Sequence, residues 1–247
     1  MARYARKKSI TGIYHIMLRG INRQTIFGDD EDNEKFLQVL SDCKKVCEFE
    51  LYGYCLMGNH VHLLIKEGKE DLASVFRRIG ATYVYWYNRK YRRNGHLFQD
   101  RFRSEAVENE SYFKVVLRYI HQNPIKANLC DFLHEHAWSS YQDYIQKSAM
   151  IDYGFTYGII DETSFVDFME EDVKEKCLDN TREHKYLTDG ELINMIEREL
   201  NIRALMIQNQ PREKMENTLR SILKMDDVTT RQLARVTGVP VNTIWKL

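Results

Sequence analysis

No run of the chain approaches the ~20 consecutive apolar residues that a membrane-spanning helix needs. No apolar core follows the basic residues 1–9 to make a signal peptide either. A cytoplasmic protein with no membrane partner is therefore expected. Cysteine is also sparse: five residues, an odd number with no CxxC pair, argue against a disulfide framework and fit a reducing compartment. Cys43 and Cys47 share a predicted helix face, but their spacing does not assemble four zinc ligands, and they read as ordinary thiols. Net charge is lacking too. The 36 Lys and Arg residues balance 36 Asp and Glu, so total charge gives no reason to expect a nucleic-acid partner.

What is present is a globular composition. Hydrophobic residues make up 43% and charged residues 29% of 247 residues, enough to bury a core and to form a catalytic domain with a smaller module. The charge is unevenly placed. Residues 1–147 carry 23 Lys and Arg against 18 Asp and Glu, whereas residues 148–180 carry 2 against 9. A basic catalytic part followed by an acidic connector is the simplest reading.

Residues 12–18 alternate apolar and polar positions and read as a strand ending at Arg19-Gly20. Asp29 to Asp32 supply acidic capping for a helix reaching about Cys47. Residues 51–57 and 61–66, separated by Gly58-Asn59, predict a hairpin. Residues 71–93 have helical apolar spacing, residues 97–107 are mostly extended, and residues 110–122 are helical before Pro124 interrupts. This order predicts an α+β fold, a compact antiparallel sheet of the split βαβ kind with helices packed on one face. The expected division is a first, α+β domain at 1–145, the acidic connector at 146–185, with some local helix, and an all-α region at 186–247. In that last region, residues 189–200 and 212–225 predict amphipathic helices. Gln232-Leu233-Ala234, then Gly238-Val239 and Thr243-Ile244, suit a helix-turn-helix, with a plain helical hairpin as the alternative. The second helix, from Val241, has barely two turns before Leu247, so either the protein ends abruptly there or the chain is truncated.

His60 and His62 stand two apart on the second hairpin strand and face the same side, so both imidazoles can reach one ion. Two neutral imidazoles suit a transition metal and, with oxygen ligands, also tolerate Mg2+ or Mn2+. Two histidines on the polar face of a strand that bind nothing are the bland alternative. Tyr119 and Asn123 stand four apart on a helix and project from one face. Asn123 can be a third, oxygen ligand, and Tyr119 can attack a phosphorus whose nonbridging oxygen the metal polarises. A core tyrosine with a capping asparagine would leave the same pattern.

Gly58-Asn59-His60-Val61-His62-Leu63-Leu64, with Tyr119-Ile120-x-x-Asn123-Pro124 downstream, resembles the single-tyrosine HUH transposases, named for histidine, hydrophobic, histidine. The REP-associated tyrosine transposases, which carry an IS200-like domain, are the most similar branch. Tyr14-His15, Arg19-Gly20-x-Asn22-Arg23-Gln24, Gly95-His96-Leu97-Phe98-Gln99-x-Arg101-Phe102 and Trp138-Ser139-Ser140-Tyr141 match in the same order, covering about residues 10–145. The resemblance implies a ferredoxin-like domain acting on single-stranded DNA with hairpins in DNA transposition. Its tyrosine would form a 5′-phosphotyrosine bond and leave a free 3′ hydroxyl. The bond energy is kept, so rejoining needs no ATP. Carried over by position, His60 and His62 are metal ligands, Tyr119 is the nucleophile, and Asn123 takes the place of a polar ligand often filled by glutamine. Tyr112, two turns before Tyr119 on nearly the same face, competes as nucleophile, but only Tyr119 has an asparagine at i+4; the protein is expected as a monomer or homodimer.

Between Arg77 and Arg103 the chain interleaves arginine and lysine with tyrosine and tryptophan, a combination that meets phosphates and stacks on unpaired bases. Tyr83, Trp86 and Tyr87 fall on one apolar stripe and read as core. The expected DNA contacts are Arg92, Arg93, His96, Arg101 and Arg103, together with Arg19, Asn22 and Arg23 in the loop after the first strand. Duplex DNA is a further expected partner of the C-terminal region. The rival readings are a DNA-binding regulator that kept the fold without catalysis, a relaxase or replication initiator of the HUH kind, and a metal-dependent hydrolase unrelated to DNA.

Overall fold

The structure is a computed structural model that describes residues 7–99, 101–171, 177–178, 189–223, 225 and 228–246. The chain divides into two compact units, residues 1–180 and 181–247.

In the first unit, β1 (Ile13–Arg19) leads to α1 (Asp30–Cys47), followed by β2 (Glu50–Met57), β3 (His60–Lys66), α2 (Leu72–Lys90), β4 (Arg103–Ala106) and α3 (Glu110–Lys126). Local chemistry sets these limits. Asp29 accepts the Asp32 amide at 3.1 Å, and Asp32 reaches back to the Asp29 amide, a reciprocal cap that satisfies amides left open in the first turn. Gly58-Asn59 turns β2 into β3, and Asn109 caps α3 by accepting the Tyr112 amide at 2.8 Å.

The sheet order is β2-β3-β1-β4, antiparallel throughout. β3 lies between β1 and β2, and β1 lies between β3 and β4, so both helical crossovers skip one strand. Side chains alternate across a strand, yet His62, Leu64, Val61, Leu63 and Ile65 of β3 are all buried. Both faces are covered, which corrects the expectation of helices on one face only. α3 packs on β2 and β3, while α1 packs on α2 and touches β2.

Three expectations change in detail. α3 continues through Pro124 to Lys126 instead of ending at 122; the missing proline amide removes one ladder bond, and the next turn closes through the Ala127 amide to the Asn123 carbonyl at 3.0 Å. Of the described residues in 97–107 only Arg103–Ala106 form a ladder, with an isolated bridge from Phe98 to Gly20. The acidic stretch is not a connector in its first part. Residues 146–170 include α5 (Tyr153–Ile159) and α6 (Phe165–Glu170), which follow the short α4 (Tyr141–Gln146). Ile151, Ile160, Phe165 and Met169 are buried in the first core. Its carboxylates pair with basic residues of the same unit, Asp152 with Lys44 at 2.8 Å and Glu171 with Arg118 at 2.6 Å.

Between β3 and α2 the chain passes close beneath α1. A β-carbon at Gly68 would sit 2.6 Å from the Cys47 carbonyl oxygen and closer still to that of Glu48. Gly68→Ala must move backbone, and it is expected to destabilise the protein by about 1–3 kcal/mol, as overpacking does. Urea unfolding with an unchanged slope and a lowered midpoint would show it; an unchanged midpoint would mean that this approach is loose.

The second unit contains α7 (Asp189–Leu200), a 3-10 turn at Ala204–Asn209, α8 (Arg212–Leu223), α9 (Thr230–Thr237) and the short α10 (Val241–Ile244). Leu192, Ile196, Ile207, Leu219, Ile222, Leu233 and Ile244 make its core. Gly238 ends α9 in the left-handed region (φ 74°), which glycine adopts without strain.

Candidate active site on the His60-His62 strand

Register, more than spacing, builds the site. In antiparallel pairs directly opposite residues point to one side of the sheet. His60 lies opposite Arg19 of β1, His62 opposite Met17, and Leu64 opposite His15; on the β2 side, Gly53 pairs with Leu64. His15 in turn lies opposite Glu105 of β4. One face of the sheet therefore presents His60, His62, His15 and Glu105 together.

α3 lies over this face. It approaches at Gly53, where a β-carbon would be 2.8 Å from Leu117 Cδ1. Tyr119 then meets His62 and His15 edge-on, with ring centroids 5.8 and 5.9 Å away. Asn123 follows one turn later, buried like Tyr119, and its Nδ2 has no hydrogen-bond partner among the described residues. The opposite side of α3 is tied down. His121 Nε2 and Ser140 Oγ are 2.8 Å apart, and Gln122 Nε2 donates to the carbonyls of Met169 and Glu171 at 2.8 and 2.6 Å. Burial pushes His121 down to about 3, so it is a neutral packing residue. Lys126 Nζ lies 5.3 Å from the Tyr119 ring centroid, within cation–π range.

The histidine pair suits a cation. The rings of His60 and His62 have centroids 5.0 Å apart. The Nδ1 of each is engaged: His60 Nδ1 lies 2.6 Å from Asn59 Oδ1, and His62 Nδ1 lies 2.9 Å from His15 Nε2. Asn59 Nδ2 donates to the Arg23 carbonyl at 3.3 Å, which orients the amide oxygen toward His60. This leaves the ligand role to Nε2 in both rings. Burial, then the neighbouring His15, His60 and Arg19, hold His62 well below the usual imidazole range, which keeps it the neutral donor that a metal needs. Among the described residues no three His, Cys, Asp or Glu side chains gather as a metal site; α3 carries the amide of Asn123 one turn after Tyr119.

Tyr112 is placed differently from Tyr119. Its hydroxyl engages Glu105, and burial followed by that carboxylate pushes the phenol above its ordinary range. Glu105 itself is held below the usual carboxylate range, by His15 first and by Tyr112 against the effect of burial.

The residues expected to hold DNA are partly brought together beside His60. The loop after β1 turns at Ile21–Arg23, with Asn22 and Arg23 exposed in left-handed conformations (φ 52° and 58°). It is bound to the hairpin turn by the Gly20 amide to the Asn59 carbonyl at 2.9 Å, and to the next segment by the Ile21 amide to the Leu97 carbonyl at 2.9 Å. Arg93 bonds Gln24 Oε1 at 3.0 Å and the His96 carbonyl at 3.2 Å, so it braces this loop. Arg19, Asn22, Arg23, Arg93 and His96 therefore lie on chain segments that these bonds hold together, with exposed Arg92 next to Arg93 in sequence. Arg101 and Arg103 are exposed at β4, two strands away from His62. Tyr83 and Tyr87 are core and Trp86 is half-buried, whereas Tyr85 is 71% exposed.

His15 is the site residue to which spacing gave no role. It appeared only within a matching block, and its meeting with His62 depends on the pairing of strands 47 residues apart.

Residues 8–123 match the family described as "Transposase IS200 like". In three dimensions the chain is similar to a REP-associated tyrosine transposase bound to a REP hairpin. That match has a TM-score of 0.53 and 18% identity, and it covers 72% of this chain and 99% of that one; it concerns the fold. A candidate transposase of Deinococcus radiodurans R1 (TM-score 0.34, 16% identity, 51% of this chain and 97% of that one) is more distant in shape. So is tRNA(His) guanylyltransferase of Saccharomyces cerevisiae (0.37, 11%, 85% and 86%). No curated protein matches in sequence. The matched stretch begins before β1 and ends at Asn123, so it holds the strands that carry His15, His60 and His62 and the part of α3 that carries Tyr119.

Proposed function

We propose that the first unit cleaves and rejoins single-stranded DNA at hairpin elements, with Tyr119 as nucleophile and with His60, His62 and Asn123 holding Mg2+ or Mn2+. The observation that carries this is the edge-on meeting of Tyr119 with His62, with Asn123 one turn further along the same helix. The split sheet supports a ferredoxin-like reading. When bound, the ion supplies positive charge at a nonbridging phosphate oxygen. Tyr119 Oη gives up its proton and forms the bond to phosphorus, the bond from phosphorus to the 3′ oxygen breaks, and that oxygen takes up a proton to become the free 3′ hydroxyl, which balances the one the phenol lost. The buried ring keeps the nucleophile in one place relative to the histidines, which is how an enzyme lowers the entropic part of a barrier. Attack of a 3′ hydroxyl on the phosphotyrosine reverses the step.

Arg19, Asn22, Arg23, Arg92, Arg93, His96, Arg101 and Arg103 are proposed to contact the DNA, with Arg93 acting mainly through the loop it braces. The helices α9 and α10, joined through Gly238, support a helix-turn-helix reading and duplex binding by the region 186–247. The nuclease domain at 1–145 is then extended by the packed acidic helices. Incubation with single-stranded hairpin oligonucleotides, with and without Mn2+ or Mg2+, is expected to give a metal-dependent covalent protein–DNA adduct on denaturing gels. DNA binding with no adduct for any hairpin from its own genomic surroundings would favour a regulator that lost catalysis.

A further inference from the structure

Glu105, His15 and His62 form a row across three strands of one sheet face. His15 lies directly opposite Glu105, with Nδ1 3.8 Å from Oε2, a distance for charge attraction and longer than a hydrogen bond. On its other side, His15 Nε2 lies 2.9 Å from His62 Nδ1. Both imidazoles are fully buried, while Glu105 stays partly exposed at the sheet edge.

We infer that Glu105 and His15 are positioning residues that set the tautomer of His62, so that its Nε2 lone pair is available to a metal ion. A carboxylate beside His15 Nδ1 favours a proton on that nitrogen. In a neutral ring Nε2 is then an acceptor, and the proton between the two rings must belong to His62 Nδ1. With Nδ1 protonated, the lone pair of His62 sits on Nε2. The opposite arrangement puts a lone pair of His15 against the carboxylate and a proton on the ligating nitrogen of His62. Asn59 does for His60 through its amide oxygen what the two-residue relay does for His62. The inference rests on the metal-dependent reading above, but its first consequence concerns the metal-free protein.

The test uses the full chain labelled with 15N-histidine. Imidazole nitrogen shifts in the absence of metal are expected to show His62 as the Nδ1–H tautomer. Glu105→Ala, at a partly exposed position, is expected to shift it toward Nε2–H. His15→Leu is expected to weaken Mn2+ binding, read by electron paramagnetic resonance, by about 10- to 100-fold, the usual effect of losing a partner behind a metal ligand. His15→Gln keeps an acceptor oxygen and is expected to recover most of that loss. His62 in the Nε2–H form in the wild type, a tautomer unmoved by Glu105→Ala, or unchanged Mn2+ affinity in His15→Leu would each overturn the inference. Failure of the wild type to bind Mn2+ would instead overturn the metal-dependent reading, and the tautomer measurement would still decide the relay.

Discussion

Tyr119→Phe is expected to abolish the covalent adduct with single-stranded hairpin DNA while DNA binding survives, and Tyr112→Phe is expected to remain active. The substitution removes one oxygen and keeps the ring, so the edge-on contacts with His62 and His15 and the packing of α3 persist. Without a phenol there is no atom to form the phosphorus bond. Tyr112 is occupied with Glu105, and its phenol is pushed upward in pKa by burial and by that carboxylate, so it is a poor source of a nucleophilic oxygen. Denaturing gels with labelled oligonucleotide and a binding titration on the same samples separate the two functions. An adduct formed by Tyr119→Phe and lost in Tyr112→Phe would exchange the roles of the two tyrosines.

Removing one imidazole should act through the ion and leave the nucleophile untouched. His60→Ala is expected to lower the rate of adduct formation by about 10²- to 10³-fold, because polarisation of a phosphoryl oxygen by a metal contributes several kcal/mol of transition-state stabilisation. His60 is the better choice of the pair because it is half-buried at the strand start, whereas His62 is fully enclosed and its truncation would leave a cavity. The melting temperature should stay close to wild type. Chelation of divalent ions should abolish adduct formation by the wild type, and Mn2+ should restore it. Full activity of His60→Ala with tight Mn2+ binding would remove His60 from the ligand set.

Much of this architecture is written in short stretches of sequence. Asp29 to Asp32 cap α1, Gly58-Asn59 turns the hairpin, and the apolar spacing after Asp71 defines α2. Each depends on residues a few positions apart, where hydrogen-bond geometry and side-chain periodicity are local. The pairs His60 with His62 and Tyr119 with Asn123 are legible for the same reason. Pro124 misled because its cost to the α3 ladder is local, while the contacts that outweigh it come from β2, α6 and Ser140. The acidic stretch misled in a similar way: its charge and irregular pattern suggested a connector, but Ile160, Phe165 and Met169 anchor its first part to the first core and its carboxylates pair across the unit.

The sequence by itself determined the histidine pair, the tyrosine helix and the match of residues 8–123 to the IS200-like transposases. Only the tertiary structure decided that Tyr119, and not Tyr112, meets the histidines, that helices cover both faces of the sheet, and that His15 and Glu105 stand behind His62. The reason is register. A one-residue slip of β1 against β3 would keep every motif intact and turn His15 to the other face of the sheet, and that register is set by burial summed over the whole core.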